Sequence, residues 1–551
     1  MLRCFFIVMI STNNLSLRFG KRILFEDVNL KFVEGNCYGI IGANGSGKST
    51  FLKILSGEVT PTTGSVDITK GQRMAVLKQN HFEFNEFQVL ETVIMGHKPL
   101  YDIMKEKDAL YAKPDFSDED GMRAGELEAL FAEMDGWNAE SDAATLLSNL
   151  GVPVENHDRR MEELDGNQKV RVLLAQALFG NPDILLLDEP TNEIDLDATM
   201  WLEDFLADYP NVVLVVSHDR HFLDSVCTHV VDIDYGKMTP YTGNYTFWYE
   251  SSQLALKLRT EQNKRAEEKV KELQEFIRRF SANASKSKQA TSRKKLLDKI
   301  KVEDIRPSSR KYPAILLNNM VRELGDRVLK TEHLGAVQNG EVLFNDVTIE
   351  VQKGDKIALL SRNSLATTAF YEILTGRNTD FIGEFQFGVT VTTSYVPIDN
   401  APYFEGINLS LVDWLRQYSE DKDETFVRGF LGRMLFSGDE ALKQAKVLSG
   451  GEKMRCMFSR MQLQRGNVLL FDEPTNHLDL ESITSLNNAL QEFPSTILLT
   501  SKDHTLVQTV ANRIIELTPS GVIDKWMPFD EYISDPVIKA LRDEMYATAT
   551  A

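Results

Sequence analysis

The stretch GIIGANGSGKST, residues 39–50, decides how the rest of the chain is read. An apolar strand pattern runs through a glycine-rich turn into a helical pattern. Its centre, GANGSGKS at 42–49, has the spacing G-x-x-x-x-G-K-[ST]. Gly42, Gly45 and Gly47 permit backbone conformations that a Cβ disfavours, so successive N–H groups can turn inward around phosphate oxygens. Asn44, Ser46 and Thr50 complete the loop. Lys48 offers a point charge to the β- and γ-phosphates, and Ser49 a hydroxyl to Mg²⁺. The following helix points its positive N-terminus at the anion.

Working outward, the stretch DILLLDEPTNEID at 183–195 reads as an apolar strand ending in an acidic pair. Asp188 is placed to hold Mg²⁺ through water, and Glu189 to polarise the attacking water. The stretch VVSHDRHF at 215–222 puts His218 after another apolar strand, within reach of a γ-phosphate. Gln79, after the strand AVL, completes the metal and water site. Phe19 is placed to stack on adenine, a position in the core being the other reading. Further on, LSGGE at 448–452 (Ser449, Gly450, Gly451, Glu452) again suits close backbone approach to a phosphate.

The chain then repeats. NVLLFDEPTNHLD at 467–479 and LLTSKDH at 498–504 echo the first half, and Glu189–His218 and Glu473–Lys502 share a spacing of 29 residues. A shared spacing with shared flanks indicates duplication. Strands followed by helical patterns predict an α/β fold with mostly parallel sheets, two tandem phosphate-loop domains in all. The expected boundaries are 1–245, a helical linker at 246–320, and 321–551. The first copy carries about 34 extra residues, an arm at about 98–140. It reads as two short helices around an acidic turn (DFSDED), with twelve acids and four bases over 101–140.

Composition sharpens the picture. The 551 residues carry 61 Lys+Arg and 81 Asp+Glu, a net charge of −20. Taken alone, that argues against nucleic-acid binding, because phosphate contacts need local positive charge. Residues 256–311, however, hold eighteen bases and eight acids, a net of +10. Apolar residues at helical spacing flank the basic tip SANASKSKQATSRKK, which predicts two antiparallel helices. Four scattered cysteines form no CxxC pair, which disfavours zinc and iron–sulfur chemistry and fits a reducing cytoplasm. No apolar run reaches the length of a bilayer span. The run CFFIVMI at 4–10 is too short, and lacks the cleavage site, for a signal peptide.

In the order of phosphate loop, glutamine loop, LSGGE signature, carboxylate pair and histidine switch, the sequence resembles the ATP-binding-cassette (ABC) superfamily. Tandem cassettes, a basic helical linker and no membrane span narrow the resemblance to ABC-F proteins, closest to the YbiT-like bacterial subgroup. It covers nearly the whole chain. It implies an ATPase using ATP and Mg²⁺, each ATP lying between one half's phosphate loop and the other half's signature, in a monomer whose cassettes pair internally.

On that geometry the departures from the family pattern gather on one site. The second phosphate loop reads LSRNSLATTAF, residues 360–370. Ser361, Ser364 and Ala366 replace glycines, and Thr367 replaces the lysine. Pro397 stands at the glutamine position and Lys502 at the histidine switch, and no aromatic lies within 335–341. The opposing signature is LDGNQ, whose Asp165 would repel a γ-phosphate. The expectation is one catalytic and one structural site, with strand-end structure retaining Asp472 and Glu473.

The resemblance also implies a partner, the ribosome, with the hairpin inserted toward tRNA and rRNA. Arg278, Arg279, Lys286, Lys288, Arg293, Lys294 and Lys295 are the candidate RNA contacts, which position without reading sequence. The alternatives are an ATPase subunit for separately encoded membrane proteins and an ATP-binding scaffold without turnover. Antibiotic protection of ribosomes ranks below general translation control.

Overall fold

A computed structural model describes residues 8–20, 22–78, 83–192, 194–280, 292, 295–297, 308, 310–318, 322–338 and 340–547. By contacts the chain divides into two compact units. One comprises Met1–Arg73, Leu206–Val215 and Leu223–Ser309; the other comprises Met74–Phe205, Val216–Phe222 and Arg310–Ala551.

In the first unit, an antiparallel sheet of three strands has Val8–Phe19 at its centre, between Arg22–Val33 and Thr63–Ile68. The fully buried strand Cys37–Gly42 pairs in parallel with Val212–Val216 on one side and His229–Asp234 on the other. Complete burial explains its unbroken apolar and small-residue run. Lys237–Thr242 adds an antiparallel edge, and the 36-residue helix Tyr245–Phe280 follows.

In the second unit, Met74–Val76 pairs in parallel with Ile184–Asp188. The arm holds the helices Lys98–Tyr111 and Asp118–Glu133. The acidic segment is not all turn, because Ser117 and Asp120 form a reciprocal cap. That places Asp118, Glu119 and Asp120 in the first helical turn, where the helix dipole favours negative charge. The buried Lys107 pairs with Glu128 at 2.9 Å and lies 3.8 Å from the centre of the Phe131 ring.

The second half contributes a six-stranded sheet in the order Thr393–Val396, Val468–Asp472, Thr496–Thr500, Lys356–Leu360, Arg513–Thr518, Gly521–Lys525. All neighbours are parallel except the last pair. Phe471, Trp414, Phe404 and Leu499 are among the side chains packed around it.

The duplication extends to individual atoms. Thr12 Oγ donates to Val28 O and accepts from Leu30 N–H; Thr331 does the same with Val347 and Ile349. Gly64 and Gly383 hold φ of +87° and +86°. A Cβ on either would fall 2.5 Å or less from a carbonyl oxygen of the adjacent strand. Glycine is required there by contact as well as by φ. Among the described residues no helix is long and apolar enough to cross a membrane.

Candidate nucleotide sites

The first phosphate loop leaves the end of a buried strand and enters the helix Lys48–Leu55. Gly45 and Gly47 have φ of +74° and +102°. A Cβ on Gly42 would come 2.6 Å from Ser46 Oγ and 2.8 Å from Ile233 O. All three glycines are therefore forced by geometry. Gly47 is the N-cap residue, and having no side chain it leaves the first turn of the helix without a side-chain cap. The Lys48 ammonium folds back over the loop and donates to Gly42 O at 2.9 Å. Arg22 braces the loop from outside through Gly45 O, at 2.8 Å. Phe19, at the end of its strand, is 58% exposed, so the core reading does not hold for it.

The second unit brings Asp188, Glu189 and His218 together. Asp188 ends its strand, and Glu189 takes the unusual φ of +53°. Its N–H donates to Val216 O at 2.8 Å, which pins the turn to the neighbouring strand. The carboxylate then receives the His218 N–H at 3.1 Å, and His218 Nε2 stands 3.5 Å from its other oxygen. The carboxylate is thus fixed in place by the backbone of the histidine loop. Gln79 lies outside the described residues.

The signature residues Ser449, Gly450, Gly451 and Glu452 open the helix Gly450–Gln464. Ser449 and Glu452 cap it reciprocally, and Lys443 pairs with Glu452 at 2.9 Å. The two glycines have a further cause. A Cβ on Gly450 would lie 2.8 Å from the His477 ring, and one on Gly451 would lie 2.7 Å from His477 O. His477, in the TNHLD segment, thus packs directly on the signature. The spacing of the motifs does not disclose that contact; the change from TNEID to TNHLD is its one trace.

The counterpart loop in the second half is built differently. The helix Ser364–Leu374 is capped by its own Asn363, whose side chain accepts the Leu365 N–H at 3.0 Å. Thr367, standing where a lysine would, turns its hydroxyl to Ser364 O at 2.9 Å. Thr368 donates to Asp472 Oδ2 at 2.9 Å, and Glu473 accepts the Lys502 N–H at 3.1 Å. Glu473 repeats the positive φ of Glu189, at +50°. Both acids are buried, and burial pushes Asp472 up to about 6 and Glu473 up to about 7. Asp472 holds the loop hydroxyl, and Glu473 the backbone of the next strand's turn. Lys502 Nζ reaches Asn192 O at 3.3 Å, bonding to the loop that follows the first acidic pair. Asp165 caps the helix Gly166–Leu178 by accepting the Gln168 N–H at 2.8 Å, as Ser449 caps its own.

Of the candidate RNA contacts, Arg278 and Lys295 are exposed. Lys286, Lys288, Arg293 and Lys294 lie outside the described residues, as does the side chain of Arg279.

Two α/β domains, each with a strand–loop–helix and a carboxylate turn and the first with the phosphate motif in that loop, define a tandem phosphate-loop ATPase fold. The family profile for ABC transporters matches residues 25–192 and again 333–476, and a second ABC transporter profile matches 231–316. The chain is 59% identical to the ABC transporter ATP-binding protein YkpA of Bacillus subtilis, over 98% of this chain and all of that protein. It is 44% identical to the ATP-binding protein YbiT of Escherichia coli O157:H7, over 95% of this chain and 99% of that protein. Among solved structures, an archaeal ribosome recycling factor, aABCE1, in complex with the ribosomal stalk protein aP1 shares the fold. Its TM-score is 0.59 at 18% identity, covering 97% of this chain and 98% of that one. RNase-L inhibitor follows at 0.58 and 18%, covering 97% and 99%. The chain belongs to the ABC-F family of ATP-binding cassette ATPases, with YbiT-like relatives.

Proposed function

We propose that this ATPase turns over ATP at one site and works on the ribosome as a translation factor. The observation that carries the one-site reading is the contrast between a loop with Gly42, Gly45, Gly47 and Lys48 and one with Ser361, Ser364, Ala366 and a Thr367 hydroxyl turned back on Ser364 O. In this reading ATP phosphates lie on the amides of 42–50, with Phe19 against the base. Lys48 leaves Gly42 O to meet the γ-phosphate. Ser49, Gln79 and Asp188 are the residues for Mg²⁺, which when bound neutralises the β- and γ-oxygens. Glu189 orients the water, and His218 fixes Glu189 and reaches the γ-phosphate. The family resemblance adds Ser449 to Glu452 from the other half, completing the site.

The partner rests on charge. A +10 segment at 256–311 in a chain of −20 overall suits a phosphate backbone. In this reading the cassettes span 1–245 and 321–551, the linker 246–320 and the arm about 98–140. The fold shared with a ribosome recycling factor supports the same partner class. The test is pelleting with ribosomes of the Glu189→Gln chain, with and without ATP. ATP-dependent co-sedimentation is expected; recovery with membranes instead would overturn the partner.

A further inference from the structure

The C-terminal helix Pro536–Ala547 has a task beyond closing the fold. Near its end, the Tyr546 hydroxyl accepts the Arg362 N–H at 2.9 Å and stands 3.5 Å from Ser361 Oγ. It donates in turn to Leu517 O at 3.1 Å. Ser361 and Arg362 belong to the turn that corresponds to Gly42 and Ala43 in the first half. One turn earlier on the helix, Asp543 pairs with the Arg362 guanidinium at 2.5 Å, and that guanidinium covers the Tyr546 ring at 4.6 Å. Arg542 is anchored on the buried Glu516 at 2.8 Å and stands 3.6 Å from Asp197, a residue of the first half that also lies 3.8 Å from Arg362.

We propose that this helix is the standing ligand of the second phosphate loop, presenting a tyrosine hydroxyl where a nucleotide would present a phosphate oxygen. The loop amides divide among internal acceptors: Arg362 N–H to Tyr546, Leu365 N–H to the Asn363 side chain, Ala366 N–H to Asn363 O. A phosphate arriving there finds the amides of Arg362, Leu365 and Ala366 already engaged and no lysine. Burial, and then the charge of Glu516, push the Tyr546 hydroxyl up to about 12, so it stays protonated and able to donate to Leu517. The second site is thus a bound joint within the chain, tied through Asp197 to the first half.

This inference deepens the one-site reading, and its test separates the two. A non-hydrolysable ATP analogue is titrated into the full chain by equilibrium dialysis, and amide exchange is followed over 361–365. One nucleotide per chain is expected for the wild type and none for Lys48→Ala. Tyr546→Phe keeps the ring under Arg362 but removes the acceptor, and loop exchange is expected to rise by about five-fold. Nucleotide retained by Lys48→Ala, or loop exchange unmoved in Tyr546→Phe, would overturn the proposal. Failure of the one-site reading shows elsewhere, as turnover surviving in Glu189→Gln.

Discussion

The two acidic turns of the chain match in their bonding and differ in what surrounds them. Glu189 and Glu473 share a positive φ, a backbone bond to the next strand and a carboxylate that accepts an N–H 29 residues on. The loops that would bring them a phosphate do not match. One has glycines at 42, 45 and 47; the other has side chains at each corresponding position and a tyrosine hydroxyl on the Arg362 N–H. On the one-site reading, the scaffold of an ABC site persists without its anion nest, and a retained carboxylate is no measure of a retained activity.

The largest effect expected on that comparison is in turnover. Glu189→Gln should lower the ATPase rate by roughly 10²–10⁴-fold, the range for a missing acid–base group. Glu473→Gln should leave the rate within about two-fold, and equal decreases would erase the distinction. Next comes the hinge. Neutralising Lys286, Lys288, Arg293 and Lys294 should flatten the salt dependence of ribosome binding, by about one unit of slope for each phosphate no longer neutralised. An unchanged slope removes the tip from the interface.

Smaller effects probe the second half as a structural element. Glu473 and Asp472 are held above the ordinary carboxylate range by burial. A raised acid binds protons that the unfolded chain releases, so its contribution is present in full below the ordinary range. It disappears as pH rises through about 6 to 7. The unfolding midpoint of Glu473→Gln should therefore gain on the wild type between about pH 5 and pH 8. A gap that ignores pH would show that Glu473 is ionised throughout. The smallest effect is at the cap: Asn363→Ala should cost about 1 kcal/mol in denaturant unfolding while leaving turnover intact.

Much of this is legible in the residues alone. GANGSGKS, the DEPTN repeats and the shared 29-residue spacing point to two α/β domains, because strand–loop–helix phosphate sites demand particular residues at particular intervals. The replacements at Ser361, Ser364, Ala366 and Thr367 announce a disabled loop. What occupies that loop is not legible, since Tyr546 lies 184 residues beyond Arg362 and belongs to no motif. The pressure of His477 on Gly450 and Gly451 is hidden for a related reason: a glycine required by a neighbour looks like a glycine required by a ligand. The acidic segment of the arm reads as a turn because composition shows the charges. It does not show the Ser117 cap that draws them into a helix.

The bonding of the second loop has a consequence for any attempt to repair it. On the proposed reading, a lysine restored at Thr367 would still meet the side chains of Ser361, Ser364 and Ala366, and the Tyr546 hydroxyl on the Arg362 N–H. Repair of that loop would take several substitutions together, the tyrosine of the last helix among them.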